Sequence, residues 1–225
     1  MRIGTWNLAG RWKPEHHEFL IGMDCEVLLL TEVSERVELS GYAAHLTEES
    51  MAQRRRWAGV FSRTSLAPLP DPHPASAMAQ VGPWTFCSSI LPWRGAPSRH
   101  PWVGERHAAK TENAVAALLP SLPTTGLIWG GDWNHALEER EYAGTMAGRG
   151  FITEALAKLG LTVPTTWLAH CLDGLLTIDH VAVPVEADVR DAWQLSAVGP
   201  DGRRLSDHDA YVVEVRSDRF ASCLT

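Results

Sequence analysis

The chain has 225 residues, of which 45% are hydrophobic, and its formal net charge is −7. This length suits one hydrophobic core, so a single domain spanning residues 1–225 is predicted. The acidic balance argues against a domain held on nucleic acid by bulk electrostatics, because such domains usually present a basic face. The sequence starts without a signal-peptide pattern, and no apolar run is long enough to span a membrane. We therefore expect a soluble cytoplasmic protein with no membrane insertion and no obligate protein partner.

The four cysteines are Cys25, Cys87, Cys171 and Cys223. They lie far apart and none forms a CxxC pair, so the sequence predicts neither a zinc module nor a disulfide framework. Reduced and mostly buried thiols are expected instead.

The first part of the chain predicts two strands around a short helix. Residues 2–6 alternate apolar and polar side chains, which is typical of a strand, and Asn7 ends this pattern. Pro14 marks the start of a short helix. The unbroken apolar run 27–30 predicts a strand buried on both faces that ends at Glu32.

The middle of the chain predicts three strands and one helix. Residues 42–46, 57–63 and 84–91 have the composition of strands. Prolines at alternate positions from 68 to 74 predict an irregular loop. Apolar residues at helical spacing between 108 and 119 predict a helix that Pro120 ends.

Three consecutive arginines occupy positions 54–56. Such a run could contact phosphate. Because a run of charge more often forms a solvated face, we favour that interpretation.

The stretch 128–134 joins an apolar run to two glycines and then to Asp132, Trp133 and Asn134. Glycine permits a sharp turn or a close approach of the backbone to a ligand. Alternation along an extended chain places Asp132 and Asn134 on one side, with Trp133 opposite. An ordinary turn in which the carboxylate caps backbone N–H groups would have the same pattern.

The last part of the chain predicts a helix and three strands. Residues 152–159 have helical spacing, with Gly160 as the C-terminal cap. Residues 175–183 predict a strand that carries Asp179 in its middle, and residues 189–195 are expected to pair with it. Residues 210–215 predict the last strand. Mixed helices and strands throughout one unit indicate an α/β (α+β) protein.

Polar side chains stand at the ends of these strands in five short motifs. The motifs are Thr5-Trp6-Asn7, Leu30-Thr31-Glu32, Gly131-Asp132-Trp133-Asn134, Ile178-Asp179-His180 and Ser206-Asp207-His208. Their order resembles that of the endonuclease/exonuclease/phosphatase superfamily, the DNase I-like metal-dependent phosphoesterases, over nearly the whole chain. The resemblance implies a four-layer α-β-β-α sandwich of two mixed, largely antiparallel sheets flanked by helices.

The resemblance also implies a site for Mg²⁺ or Mn²⁺. Glu32 matches the principal metal carboxylate of the family, with Asn7 and Asp207 close to the ion. This donor set agrees with chemistry, because magnesium-type cations prefer carboxylate and amide oxygens and keep several waters.

The resemblance divides the hydrolysis of a phosphate ester among four residues. Asp132 would orient or deprotonate the attacking water, and Asn134 would hold that water or a phosphate oxygen. His208 would donate to the phosphoryl group. Asp179 would fix the imidazole tautomer and favour its protonated form.

The sequence departs from the family pattern at Ile90, where many members carry a histidine or tyrosine that contacts phosphate. Thr31 replaces a common glutamine, and Asp209 follows His208 where smaller or apolar residues are usual. These departures put substrate class and efficiency in doubt more than fold. The expected substrate contacts are Trp93, Arg94, Trp133 and His180.

The leading hypothesis is a divalent-metal-dependent phosphodiesterase, nuclease-like in its chemistry, with nucleic acid or a nucleotide as the favoured phosphoester substrate. A phosphatase acting on a small-molecule or lipid phosphoester is an alternative. A catalytically weakened binding or scaffold protein of the same fold is another, and Ile90 favours it. A serine hydrolase is disfavoured, because no G-x-S-x-G elbow occurs and Ser206 is too close to His208 for a triad.

Overall fold

The computed structural model describes residues 1–216, so Cys223 lies outside the described residues. Within residues 1–216, one sheet contains seven strands and a second sheet contains six. The strands of the first sheet are β1 (Arg2–Asn7), β2 (Val27–Ser34), β3 (Ala43–Leu46), β4 (Ser50–Ala52), β5 (Arg55–Ser62), β12 (Val189–Leu195) and β13 (Ala210–Val215). The strands of the second sheet are β6 (Ala67–His73), β7 (Ser76–Val81), β8 (Trp84–Ser89), β9 (Leu127–Asp132), β10 (Leu161–Thr162) and β11 (Asp179–Pro184). The helices are α1 (Pro14–Gly22), α2 (His107–Leu118) and α3 (Met146–Leu159).

The two sheets pack face to face. Small and β-branched side chains from both sheets fill the space between them, including Val60 and Val213 from the first sheet and Ile128 and Val181 from the second. Such residues fit a pleated surface and interdigitate between sheets.

A helical layer covers the outer face of each sheet. Leu20 of α1 packs with Leu28 and Leu30 of the first sheet. Val115 of α2 and Ile152 of α3 pack on the second sheet. The predicted four-layer α-β-β-α sandwich is therefore confirmed.

Both sheets are mixed. The strand order is β12-β13-β1-β2-β5-β3 in the first sheet, where β4 also pairs with β5, and β10-β11-β9-β8-β7-β6 in the second. The β1–β2 and β8–β9 pairs are parallel and the other pairs are antiparallel. Asn7 at the end of β1 bonds to Glu32 of the parallel strand β2 and to Asp132 of β9, so these three strands bring their site residues to one end of the sandwich.

The predicted helix ends are confirmed for α1 and α3. Pro14 occupies the first turn of α1, where its missing N–H costs no intrahelical hydrogen bond. Gly160 follows α3 in the left-handed conformation, with φ 63°, and its N–H donates to Ala157. The N-terminal cap of α3 is Thr145, which lies before the apolar periodicity begins at Ile152.

The proline-rich segment is a strand, not the irregular loop that its prolines predict. Strand β6 contains Pro68, Pro70 and Pro72, and it pairs only with β7 at the edge of its sheet. An edge strand tolerates proline because one row of its N–H groups has no neighbouring strand to bond.

The expected pairing of residues 189–195 with the Asp179 strand is wrong. Strand β12 pairs with β13 in the first sheet, whereas β11 lies between β10 and β9 in the second. The strand expected over 175–183 also begins only at Asp179, so this residue stands at a strand start.

The thiols of Cys25 and Cys87 are buried and that of Cys171 is partly exposed, and none of these three forms a disulfide. Each helix within residues 1–216 is too short or too polar to cross a lipid bilayer.

Candidate active site

The two sheets meet at the end of the sandwich where β1 and β9 finish. Asn7 is the last residue of β1 and Asp132 the last of β9. The antiparallel register of β9 and β11 sets Asp179 directly opposite Asp132. Glu32 lies on β2, the parallel neighbour of β1. Four of the expected site residues thus come from four neighbouring strands.

Asn7 joins the two sheets at this point. Its side-chain nitrogen Nδ2 donates to Asp132 Oδ2 at 2.9 Å and to Glu32 Oε1 at 3.2 Å. Its oxygen Oδ1 accepts from the Ala9 backbone N–H at 2.8 Å. These bonds fix the amide orientation, because only nitrogen can donate to both carboxylates.

His208 completes the site from the loop before β13. Its Nδ1 bonds to Asp179 Oδ2 at 2.7 Å, and its Nε2 lies 4.0 Å from Asp132 Oδ2. The loop is tied to β1, since Ser206 Oγ donates to the Asn7 carbonyl and accepts from the His208 N–H. Nitrogen and oxygen atoms of Asp132, Asp179 and His208 lie within 4.8 Å of one another.

The carboxylates around His208 control its charge. Burial lowers the pKa of His208, but the neighbouring charges of Asp179 and Asp132 outweigh burial and raise the pKa to about 10. The ring is therefore a cation at neutral pH. Burial, together with the nearby charge of Asp179, raises the pKa of Asp132 toward neutrality.

The turn after β9 orients Asp132 through strained backbone. Asn134 has a positive φ of 52°, and its N–H donates to Asp132 Oδ1 at 3.0 Å. Its side-chain Nδ2 donates to the Leu91 carbonyl at 3.1 Å. Positive φ costs a non-glycine residue free energy, so the surrounding bonds must hold this conformation.

Gly131 permits the close approach that the turn needs. It has φ 123°, and a Cβ at this position would lie 2.2 Å from the Ser89 carbonyl oxygen on the neighbouring strand β8. Gly131 is therefore required both by its positive φ and by the close approach of Ser89 on β8.

Arg55 is a site residue that the sequence interpretation missed. Its Nη1 donates to Glu32 Oε2 at 2.7 Å, so the run 54–56 is not simply a solvated face. Gly10 makes room for it, because a Cβ there would lie 2.1 Å from Arg55 Nε. Glu32 itself has a positive φ of 48° within its strand. The pairing of β2 with β5 brings the two side chains together, and a charge run alone carries no information about that pairing.

Asp207 lies on the exposed rim beside His208. Its Oδ1 is 3.4 Å from Ser206 Oγ, and its backbone carbonyl accepts from Cys171 Sγ. The structure therefore places Asp207 next to the cluster without a direct hydrogen bond to Asn7 or Glu32.

Two expected substrate contacts are core residues. Trp133 and His180 are both 0% exposed. Trp133 packs on Trp129 with ring centroids 4.4 Å apart, and His180 Nε2 bonds to the His135 carbonyl at 2.9 Å. The expectation that they touch substrate is corrected, because neither side chain reaches the surface.

The other two expected contacts stand on the loop after β8. Trp93 is half-buried and makes an edge contact with Trp102, with ring centroids 6.2 Å apart. Arg94 is exposed, and its guanidinium donates to the Gly144 carbonyl through Nε and Nη2. Both remain open to a ligand.

No protein-family model and no curated protein matches the sequence. Solved structures do match it. The endonuclease domain of TRAS1, a telomere-specific non-LTR retrotransposon, has a TM-score of 0.66 at 14% identity, covering 96% of this chain and 97% of that one. The AP endonuclease LMAP from Leishmania major has a TM-score of 0.67 at 14% identity over 96% and 87% of the two chains. An endonuclease/exonuclease/phosphatase protein from Beutenbergia cavernae has a TM-score of 0.64 at 14% identity over 96% and 71%.

The chain has the endonuclease/exonuclease/phosphatase fold. The similarity spans both sheets, so the five motifs lie within one DNase I-like framework. Ile90, the main departure from the motifs of that superfamily, is 2% exposed and packs in the core beneath α2 and α3. This position of the DNase I-like fold therefore offers no hydrogen-bond donor at the site.

Proposed function

We propose that the protein is a divalent-metal-dependent phosphoester hydrolase with phosphodiesterase or nuclease activity. The observation that carries the proposal is the geometry of His208, whose Nδ1 is held 2.7 Å from Asp179 while its Nε2 faces the buried carboxylate of Asp132 at 4.0 Å. One surface thus combines a base, a proton donor and, through Asn7, the carboxylate of Glu32. Hydrolysis of a phosphate ester requires these groups together.

The residues suit a hard cation such as Mg²⁺ or Mn²⁺. Glu32 supplies a carboxylate from β2, and Asp207 adds a carboxylate at the rim. Asn7 holds the Glu32 carboxylate through Nδ2, so its Oδ1 would have to turn from the Ala9 N–H to coordinate an ion. His208 Nδ1 is bonded to Asp179 Oδ2 at 2.7 Å, and its Nε2, 4.0 Å from Asp132 Oδ2, is left to face a substrate. We therefore assign the metal to Glu32, Asn7 and Asp207. The catalytic roles are assigned to His208, Asp132 and Asp179. When bound, such an ion would neutralise charge on the phosphoryl and leaving oxygens.

Each catalytic residue then has one task. Asp132 accepts the proton of the attacking water, and its raised pKa brings it nearer to the range of an effective base. Asn134 fixes the Asp132 carboxylate through its backbone N–H. His208 donates from Nε2 to a phosphoryl oxygen, while Asp179 holds the opposite nitrogen of the ring.

A nucleic-acid phosphodiester is the favoured substrate. The similar structures include two endonucleases by their printed names. In this chain, Arg36, Arg54 and Arg55 line a cavity of about 200 Å³ together with Gly10 and Trp12. Because Arg55 also contacts Glu32, this cavity adjoins the proposed metal site and can receive a further phosphate of an extended substrate.

Purified protein is assayed on supercoiled plasmid and on bis-p-nitrophenyl phosphate, with Mg²⁺ or Mn²⁺ and with EDTA. We expect metal-dependent hydrolysis that EDTA abolishes, and losses of at least about 100-fold in Asp132→Asn and His208→Ala. His45→Asn is the matched control, because His45 also bonds to an aspartate, Asp71 at 2.9 Å, but lies on strand β3. Full activity in both site variants rejects the proposal.

The same preparation tests the alternative of a non-catalytic scaffold. Calorimetric titration with Mn²⁺ should give binding that Glu32→Gln weakens by about tenfold or more. A folded wild-type protein that binds no Mn²⁺ at millimolar concentration and hydrolyses neither substrate would favour the scaffold.

A further inference from the structure

A buried histidine lies directly behind the catalytic turn and has no part in the proposed chemistry. His180 follows Asp179 on β11, and alternation along the strand sends the two side chains to opposite faces. Asp179 faces His208, whereas His180 points into the core against Trp133, with ring centroids 5.2 Å apart. An aliphatic side chain would fill this place without the cost of burying an imidazole.

The hydrogen bonds of His180 define its tautomer. Its Nε2 lies 2.9 Å from the His135 carbonyl oxygen, which can only accept, so Nε2 carries the proton. Its Nδ1 lies 3.3 Å from Thr165 Oγ1, and this hydroxyl also accepts from the Val181 N–H at 3.2 Å. The Thr165 hydroxyl therefore donates to Nδ1 and holds the ring. Burial lowers the pKa of His180 to about 4, which keeps this neutral form at physiological pH.

The acceptor of this bond belongs to the strained turn. His135 directly follows Asn134, whose φ is 52° and whose N–H orients Asp132. The turn is anchored before this point, because the Trp133 N–H donates to the Ile178 carbonyl. The His180 bond anchors it on the other side of Asn134. Asp179 and His180 are successive residues of β11. Asp179 thus holds the His208 imidazole on one face of the strand, and His180 holds the turn that follows Asp132 on the other.

We propose that His180 is a positioning residue, whose Nε2–H fixes the His135 carbonyl and thereby holds Asp132 and Asn134 in catalytic geometry. The inference rests on the proposed hydrolase function, because it assigns to His180 the positioning of Asp132, the proposed base. It also replaces the expectation that His180 touches substrate, which its complete burial rules out.

A pair of variants tests the bond. His180→Leu has no donor, whereas the amide nitrogen of His180→Gln reaches the position of Nε2. We expect kcat to fall about 100-fold in the leucine variant, because displacing a reacting group by about 1 Å costs this much. KM and the Mn²⁺ dissociation constant should stay within about threefold, since His180 touches neither ligand. The glutamine variant should recover most of kcat.

The outcomes that overturn the inference are specific. A folded leucine variant with wild-type kcat shows that the bond is dispensable. Equal losses in the leucine and glutamine variants show that the donor is not what matters. Parallel losses of Mn²⁺ affinity and of kcat indicate general disruption of the site.

A second pair covers the case in which the leucine variant does not fold. Thr165→Val removes the hydroxyl that holds Nδ1, and Thr165→Ser retains it. The inference requires a loss of kcat of about tenfold in the valine variant and recovery in the serine variant. Equal kcat in the two variants contradicts it.

Amide hydrogen exchange separates this inference from the proposed function. The Asn134 N–H, which donates to Asp132 Oδ1, should exchange about tenfold faster in His180→Leu than in wild type or His180→Gln. If the wild-type protein hydrolyses nothing, the proposed function fails while the exchange comparison still decides whether His180 holds the turn. Unchanged exchange in a folded leucine variant overturns the positioning role.

Discussion

Replacement of Asp179 by asparagine tests how the charge of His208 is maintained. Burial lowers the pKa of His208, and the charges of Asp179 and Asp132 outweigh it, giving a pKa of about 10. Asparagine keeps the size of the side chain and an acceptor oxygen toward Nδ1, at 2.7 Å in wild type, and removes the charge. The variant therefore isolates the electrostatic contribution of Asp179.

The expected shift follows from the structure. The span from 6.5 to about 10 corresponds to roughly 5 kcal/mol in favour of the protonated ring, at about 1.4 kcal/mol per pH unit. Asp179 is the carboxylate bonded to the ring and the largest of the charges that raise its pKa against burial, so the pKa in the variant should fall by at least about two units. Because the proposed function makes the protonated ring the donor, the alkaline limb of kcat/KM should move down by at least about two pH units.

The assay is hydrolysis of bis-p-nitrophenyl phosphate with Mg²⁺ from about pH 6 to 10. A bound cation lowers the pKa of His208 in both proteins, so the comparison depends on the difference between them. Asp71→Asn is the control, since it removes the carboxylate 2.9 Å from His45 and should leave the limb in place. An unmoved limb in a folded, active Asp179→Asn protein would refute the electrostatic argument.

Three further predictions concern stability, measured by urea denaturation. Gly131→Ala should lower the free energy of unfolding by more than about 3 kcal/mol, because its Cβ would lie 2.2 Å from a backbone carbonyl oxygen. The control is Gly174→Ala, at φ 71° in open space, which should lower the free energy of unfolding by about 1 kcal/mol. Equal losses in the two variants would contradict this prediction. The stability contributed by neutral His135 and His180 should be complete above about pH 6.5 and fall as the pH drops toward 4, since burial lowers the pKa values of both to about 4; His180→Gln should flatten this part of the pH dependence. Asp209→Ala should cost about 3 kcal/mol, because this buried carboxylate accepts three hydrogen bonds, and a cost below about 1 kcal/mol would exclude a structural role.

Local sequence patterns predicted the elements that depend on local physics. The helix end at Gly160 follows from backbone conformation that glycine adopts without cost. Strand β13 follows from a short apolar run, and the structure gives it the predicted bounds, Ala210–Val215. Strand ends carrying Asn7 and Asp132 could also be located, because polar residues follow apolar runs there.

Strand pairing could not be predicted in the same way. Strand β6 is recognisable only when its place at a sheet edge is known, since the same prolines would break an interior strand. Strand β12 lies next along the chain to β11 but joins the other sheet. The roles of Arg55 and Trp133 were missed for the same reason. The ion pair of Arg55 with Glu32 and the packing of Trp133 against His180 both arise from contacts distant in sequence.

The missing polar side chain at Ile90 affects the result expected for Asp179→Asn. The Ile90 side chain packs in the core under the helices, so the end of β8 supplies no donor to a phosphate. Under the proposed function, neutralisation of the phosphoryl oxygens would then depend more heavily on His208 and the metal. A site with two donors would lose only part of its kcat/KM when one donor is deprotonated. In this protein, kcat/KM should instead vary with the protonation of His208 alone. The residual kcat/KM above the alkaline limb in Asp179→Asn therefore also measures how far the chain depends on His208.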